Sequence, residues 1–271
     1  MYDRRHDLGQ NLLADAKTIH SILRLVGETS SGPILEIGAG DGSLTLPLSR
    51  LERPLAALEI DPRRAARLAR RVPGNVQLIN VDVLSYRLPE HTGTIVGNIP
   101  FHLTTPILKK LFGSPHWLDA VLVVQWEVAR RRAGVGGASM LTAQWWPWHR
   151  FDLHARIPAT AFRPAPSVDA AVLTVRRRVT PLVADRRDYQ HFVQQVFTGP
   201  GRGLAEILAR SGRIPRGQLY RWLAEEALPA RALPKDLNAE QWASLWHLAR
   251  QRTRPADRNV RSPRIHRGRD H

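Results

Sequence analysis

Short apolar runs recur through the first half of the chain, and each stops at residues able to hold a ligand. Residues 33–37 run into Glu36-Ile37-Gly38-Ala39-Gly40-Asp41-Gly42, 55–60 end in Glu59-Ile60-Asp61, 76–81 stop at Asp82, 94–97 feed Asn98, and 118–125 make a fifth run. Between them lie stretches with helical spacing: 9–27, where Leu13, Ile19, Ile22, Leu23 and Val26 recur about a turn apart, then 43–51, then 62–71 behind Pro62. Pro47 predicts that the second of these helices starts late or kinks. Apolar strands alternating with helices specify a mostly parallel sheet covered on both faces. Ligands of such sheets bind at the carboxyl ends of the strands, where all these motifs fall.

Further strands are expected at 139–145, His149–Ile157 and Ala170–Arg177. After Arg178 the pattern changes to helices at 185–198, 202–211, 216–227 and 239–251, separated by glycine or proline, with Trp242 and Trp246 on one helical face. The expected organisation is therefore an α/β domain over 1–178, a small helical domain over 179–250, and an arginine-rich tail over 251–271 that orders only on a partner. No internal repeat is visible.

The formal charge of +16 and a pI of about 11.4 point to a polyanionic partner. With no cysteine, disulfides and thiolate chemistry are excluded. Neither a membrane-spanning apolar run nor the apolar core of a signal peptide is present, and no cluster of metal ligands stands out, so a cytoplasmic protein is expected.

A glycine turn between strand and helix lets backbone approach a ligand closely, although Gly38, Gly40 and Gly42, spaced two apart, depart from the dinucleotide pattern. Glu59 is placed to accept hydrogen bonds from two ribose hydroxyls, and Asp82 from an adenine amine. Turn formation and helix capping are the competing roles for these acids, and for Asp61 beside Pro62 capping is the preferred one.

The tetrapeptide Asn98-Ile99-Pro100-Phe101 carries the chemistry. Adenine N6 is a weak nucleophile because its lone pair is delocalised into the ring. Two carbonyl acceptors holding the amine hydrogens, the Asn98 side chain and a backbone carbonyl close to Pro100, direct that lone pair at an incoming methyl sulfonium. Proline stiffens the turn beforehand, and Phe101 stacks on a flipped base. Arg63, Arg64, Arg67, Arg70 and Arg71, then Arg130, Arg131 and Arg132, then Arg176, Arg177 and Arg178 suit phosphate contacts; ordinary solvated helix surface is the competing reading for the first two groups.

In order along the chain, Gly9-Gln10-Asn11-Leu12-Leu13, the 36–42 loop, Glu59-Ile60-Asp61, Asp82, Asn98-Ile99-Pro100-Phe101, Gln125-Trp126-Glu127-Val128-Ala129-Arg130 and Phe162-Arg163-Pro164-Ala165-Pro166-Ser167-Val168 resemble the ribosomal RNA adenine N6-methyltransferases. Asn-Ile-Pro and the glycine- and tryptophan-rich stretch 134–148 resemble the actinomycete Erm enzymes of macrolide–lincosamide–streptogramin B resistance. The resemblance implies a Rossmann-like S-adenosylmethionine-dependent domain with a seven-stranded sheet, a small helical domain after it, and methylation of one adenine in 23S rRNA. It implies that Gln10 and Asn11 close over the methionine end of the cofactor, Gly38 contacts it through backbone, Glu59 holds the ribose and Asp82 the adenine. Leu13, Ala39, Gly40, Ile60, Val83 and Asn98 complete the cofactor set. Phe162 would close the target-base pocket, and Leu12, where the family commonly has phenylalanine, is expected to be a packing change. A monomer acting on 23S rRNA away from membranes is expected. The rivals are a small-subunit rRNA dimethyltransferase, which commonly carries leucine at the position of Ile99, a DNA adenine methyltransferase, and a non-catalytic rRNA assembly factor.

Overall fold

The computed structural model describes residues 11–229 and 231–250. A short strand β1 (Leu12–Leu13) precedes α1 (Ala16–Gly27), and then β2 (Ile34–Ile37), α2 (Thr45–Leu48), β3 (Leu55–Glu59), α3 (Pro62–Ala69) and β4 (Val76–Asn80) alternate. They are followed by β5 (Thr92–Asn98), α4 (Thr104–Gly113), β6 (Trp117–Gln125), α5 (Trp126–Arg132), α6 (Met140–Trp145), β7 (His149–Ile157), β8 (Phe162–Arg163) and β9 (Ala170–Arg177). The remaining helices are α7 (Arg186–Thr198), α8 (Leu204–Ser211), α9 (Arg216–Glu225) and α10 (Ala239–Arg250).

Seven strands form one sheet in the order β4-β3-β2-β5-β6-β9-β7, parallel from β4 through β6 and antiparallel at β9 and β7. The expected seven-stranded, mostly parallel sheet is thus present. Because successive side chains of a strand point to opposite faces, the core divides in two. Ile95, Leu122 and Leu173 belong to one buried cluster, whereas their neighbours Val96, Val121 and Val172 belong to the other. The second cluster takes in Ile22 and Leu25 of α1 and Leu68 of α3. The first runs without a break into Phe192, Trp242 and Trp246 of α7 and α10. The two tryptophans do share a face, and both rings lie within 6.3 Å of Phe192.

Three local expectations need correction. The helix expected from residue 9 starts at Ala16, because Ala14 and Asp15 donate to the Ala161 carbonyl, β1 pairs with β8, and Asp15 caps α1 by accepting from Thr18 N at 2.8 Å. The helix expected over 43–51 is one α-turn followed by a 3-10 turn, with Pro47 in its first turn, where a missing N–H costs nothing. The strand expected over 139–145 is helix α6. Ser139 caps it by accepting from Thr142 N at 3.2 Å, and Thr142 and Ala143 are buried at helical, not alternating, spacing. Trp145, the aromatic residue of that segment, serves a cage around His149.

His149 is fully buried, stacked on Trp117 at 5.3 Å and ringed by Phe112, Trp145 and Phe151, and neither ring nitrogen has a hydrogen-bond partner. Burial, with Arg177 and Arg186 adding, lowers its pKa to about 3. A group that stays neutral in the fold but takes a proton below 6.5 when unfolded stabilises the fold fully above that pH. The contribution is lost as pH falls from 6.5 toward 3, at about 1.4 kcal/mol per unit. His149→Leu is expected to flatten the acid limb: urea titrations at pH 7.5 and 5 should show the parent losing about 2 kcal/mol more than the variant. Equal losses would assign the acid limb to other groups.

Candidate active site

The glycine turn leaves β2 with Gly38 and Ala39 both donating to the Leu58 carbonyl at 2.9 Å, which locks the loop against the neighbouring strand. Gly38 (φ 76°) and Gly40 (φ 56°) occupy left-handed conformations that side chains disfavour. A Cβ on Gly40 would meet Leu12 Cδ2 at 2.9 Å, whereas one on Gly38 would meet nothing nearer than the Asn98 carbonyl at 3.8 Å. Space is therefore left above Gly38, a cradle of the kind a nucleoside cofactor needs.

Glu59 ends β3 with only 2% of its surface exposed. One carboxylate oxygen accepts from Gly40 N at 2.7 Å and the other from Asp61 N at 2.8 Å. It therefore fixes the loop as well as lining the cleft, and each oxygen retains a lone pair for a hydroxyl donor. Asp61 is the cap of α3, as expected, accepting from Arg63 N and Arg64 N. Glu36, read in the sequence only as the start of the loop, is a wholly buried carboxyl with one unpartnered oxygen. Burial pushes its pKa up to about 7, with Thr45 opposing the effect and the nearby Glu59 charge adding to it. An acid inside the apolar run Ile34-Leu35-Glu36-Ile37 was the signal for it.

Asn98, the last residue of β5, donates from Nδ2 to the Asn11 carbonyl at 2.6 Å. A carbonyl can only accept, so this bond fixes which way the amide faces and leaves Oδ1 as an acceptor. Ile99 N donates to the Val123 carbonyl at 3.0 Å, and the Pro100 carbonyl is taken by Leu103 N at 2.9 Å. The Ile99 carbonyl has no partner among the described residues. Of the carbonyls near Pro100, that of Ile99 is therefore the one left to accept. One cleft gathers Asn11, Gly38, Gly40, Glu59 and the tetrapeptide 98–101. Leu12 also lines it, a position the sequence had suggested was packing alone.

The model of the family described as ribosomal RNA adenine dimethylase matches residues 1–250. The chain belongs to that family. It is 48% identical over 263 residues to the mycinamicin-resistance protein MyrB of Micromonospora griseorubida, covering 95% of this chain and 84% of the relative. To an rRNA adenine N-6-methyltransferase of Corynebacterium diphtheriae it is 48% identical over 235 residues, covering 85% and 92%. Among solved structures, that of the 23S rRNA methyltransferase ErmE superposes with a TM-score of 0.81 at 32% identity, covering 88% of this chain and 99% of that one. The likeness to Erm enzymes carried by the short motifs thus extends over the whole described fold.

Other expected site residues lie around the cleft or away from it. Gln10 falls outside the described residues. Leu13 and Ala39 are buried in the core, and Ile60 is 45% exposed. Asp82 and Val83 follow β4 without lining the cleft, and Asp82 Oδ1 accepts from Leu84 N at 2.8 Å. Phe162, expected to face the target base, is fully buried beside β1, so its ring is unavailable to RNA in this conformation.

The arginines of this family member divide by what already holds them. Arg64, Arg67 and Arg71 converge on Asp41 of the glycine turn at 3.8, 3.4 and 3.1 Å, whereas Arg63 on α3 and Arg70 at its end are exposed and not drawn to Asp41. Arg132 is buried and hydrogen-bonded to Ser139 and Thr142, with its pKa lowered to about 10 by that burial. Arg177 donates to the Trp117 and Ser114 carbonyls, and Arg178 ties the Trp146 carbonyl to Glu240 of α10. Arg132 and Arg177 therefore serve the fold, contrary to their expected place on an RNA-facing surface. Arg130, Arg131 and Arg176 keep more accessible positions.

Proposed function

We infer that this protein methylates N6 of a specific adenine in 23S rRNA at the macrolide-binding site, using S-adenosylmethionine, with macrolide–lincosamide–streptogramin B resistance as the result. The observation that carries the reading is the Asn98 amide, held by the Asn11 carbonyl so that Oδ1 is left to accept, with the Ile99 carbonyl beside it in one cleft.

The residues present fit the cofactor: Gly38 leaves room, Glu59 ends β3 with acceptor capacity, and Asn11 closes one wall. When bound, S-adenosylmethionine supplies a methyl group on a positively charged sulfur. Glu59 then holds ribose hydroxyls, and Asp82, with Ile60 and Val83, serves the adenine end. Asn98 Oδ1 and the Ile99 carbonyl accept the two hydrogens of the target amine, which frees its lone pair without prior deprotonation. Because both acceptors are in place before the base arrives, little reorganisation is left for the transition state. Phe101 supplies the stacking face for the flipped adenine.

The exposed Arg63, Arg70 and Arg131 are free to meet phosphates, which supports RNA as the substrate. The helices of 179–250 are assigned to RNA binding alongside the methyltransferase domain of 1–178, the 251–271 tail adds nonspecific attraction, and the protein acts as a monomer in the cytoplasm. Among the described residues no helix is long and apolar enough to cross a membrane.

The reading is tested by methyl transfer from labelled S-adenosylmethionine to protein-free 23S and 16S rRNA, with the modified base mapped. Label at one 23S adenine of the drug site is expected. Label on 16S rRNA alone would replace the substrate. Loss of stacking in Phe101→Ala is expected to slow transfer roughly 5- to 150-fold, whereas Phe101→Tyr should stay near the parent. Equal rates for the two variants would remove stacking from the account.

A further inference from the structure

Trp126 is the first residue beyond β6. It opens α5 at the carboxyl end of β6, partly exposed, in a segment that continues into Arg130, Arg131 and Arg132. Its ring packs against the core. The guanidinium groups of Arg130 and Arg156 lie over it, 6.0 and 5.2 Å from the ring centre. Each is steadied by an acid: Arg130 by Glu127 at 3.3 Å, and Arg156 by Asp169 at 2.7 Å. The Trp126 backbone is fixed as well, its N–H donating to the Asp169 carbonyl at 2.9 Å.

The position relative to the catalytic turn gives this cluster a purpose. β5 and β6 are adjacent parallel strands in which Asn98 pairs with Val123, and Ile99 N also bonds to the Val123 carbonyl. Phe101 and Trp126 each stand three residues beyond that pair, at the same end of the sheet. The segments that carry the two rings therefore leave neighbouring strands side by side, Phe101 packing on the second buried cluster and Trp126 on the first.

A target adenine that leaves its stack to reach Phe101 strips its neighbour of a stacking partner. We propose that Trp126, with Arg130 and Arg156 beside it, is the platform that receives this flanking base. The inference rests on the methyltransferase reading above. An aromatic face takes any base, and guanidinium groups either stack on the base themselves or swing to the adjoining phosphates, so the platform secures the strand on one side of the extruded nucleotide. Trp126 on this account is a positioning residue for RNA, with no contact to the cofactor.

The test uses the full-length protein and an RNA stem-loop containing the target adenine, with 2-aminopurine replacing one flanking base at a time. Its fluorescence is dim when stacked and bright when not. In the parent complex one flanking position is expected to stay dim although its neighbour has flipped. In Trp126→Ala that position should brighten and KM for RNA should rise roughly tenfold, with cofactor affinity held. Trp126→Phe should recover most of both. A Trp126→Ala complex as dim as the parent, with an unchanged KM, overturns the platform. A parent that leaves the stem-loop unmethylated overturns the underlying reading, and with it the platform, before any variant is compared.

Discussion

Asn98→Ala is expected to lower the single-turnover rate of methyl transfer by about 10²- to 10³-fold, the scale on which enzymes lose activity when one preorganised hydrogen-bonding group is removed. The fold should survive. The side chain contributes one hydrogen bond to the Asn11 carbonyl and is not part of the buried core, so the stability cost is about 1 kcal/mol. Asn98→Asp separates the two jobs of the amide. It keeps an acceptor for the adenine amine but sets a carboxylate against the Asn11 carbonyl, two acceptors facing each other. An intermediate rate, with a loosened 11–15 segment seen by hydrogen exchange, is the expected outcome. Transfer by Asn98→Ala close to the parent's would remove this residue from the chemistry.

The second large effect is expected at Glu59. Glu59→Gln conserves shape, yet its amide NH2 must face either Gly40 N–H or Asp61 N–H, donor against donor. A buried N–H left unpaired costs about 1–3 kcal/mol, so the glycine turn loosens and the melting temperature falls. Affinity for S-adenosylmethionine, measured by calorimetry, should weaken roughly tenfold or more. An unchanged affinity in a folded variant would assign the carboxylate to the loop alone.

Much of this site was legible because strand ends and ligand sites coincide in a parallel sheet. Reading 55–60 as a strand was enough to put Glu59 beside the loop, and reading 94–97 as one was enough to aim Asn98 at the same cleft. The rest is set by residues distant in sequence. Nothing near Leu12 announces that it pairs with Arg163, so helical spacing alone starts α1 too early. Likewise, a surface arginine and one seated on a carbonyl look alike in sequence. Arg177 reaches Trp117 and Ser114 only because β9 lies beside β6, and Arg132 is buried only because α6 folds back over it. The 139–145 segment misleads for a related reason: its Trp145 is aromatic cover for His149, and the Ser139 cap that makes it helical is a single residue.

The unbroken cluster that joins the sheet to α7 and α10 bears on how the protein is made. Synthesis delivers β6 and β9 well before Trp242 and Trp246, which belong to the same buried cluster. While the nascent chain is still threaded through the ribosome, that face of the sheet lacks its final cover and is sticky toward other unfinished chains. Completion therefore comes as one late, cooperative event after α10 has cleared the tunnel. A stop codon that removes α10 should accordingly yield aggregate rather than a smaller working enzyme.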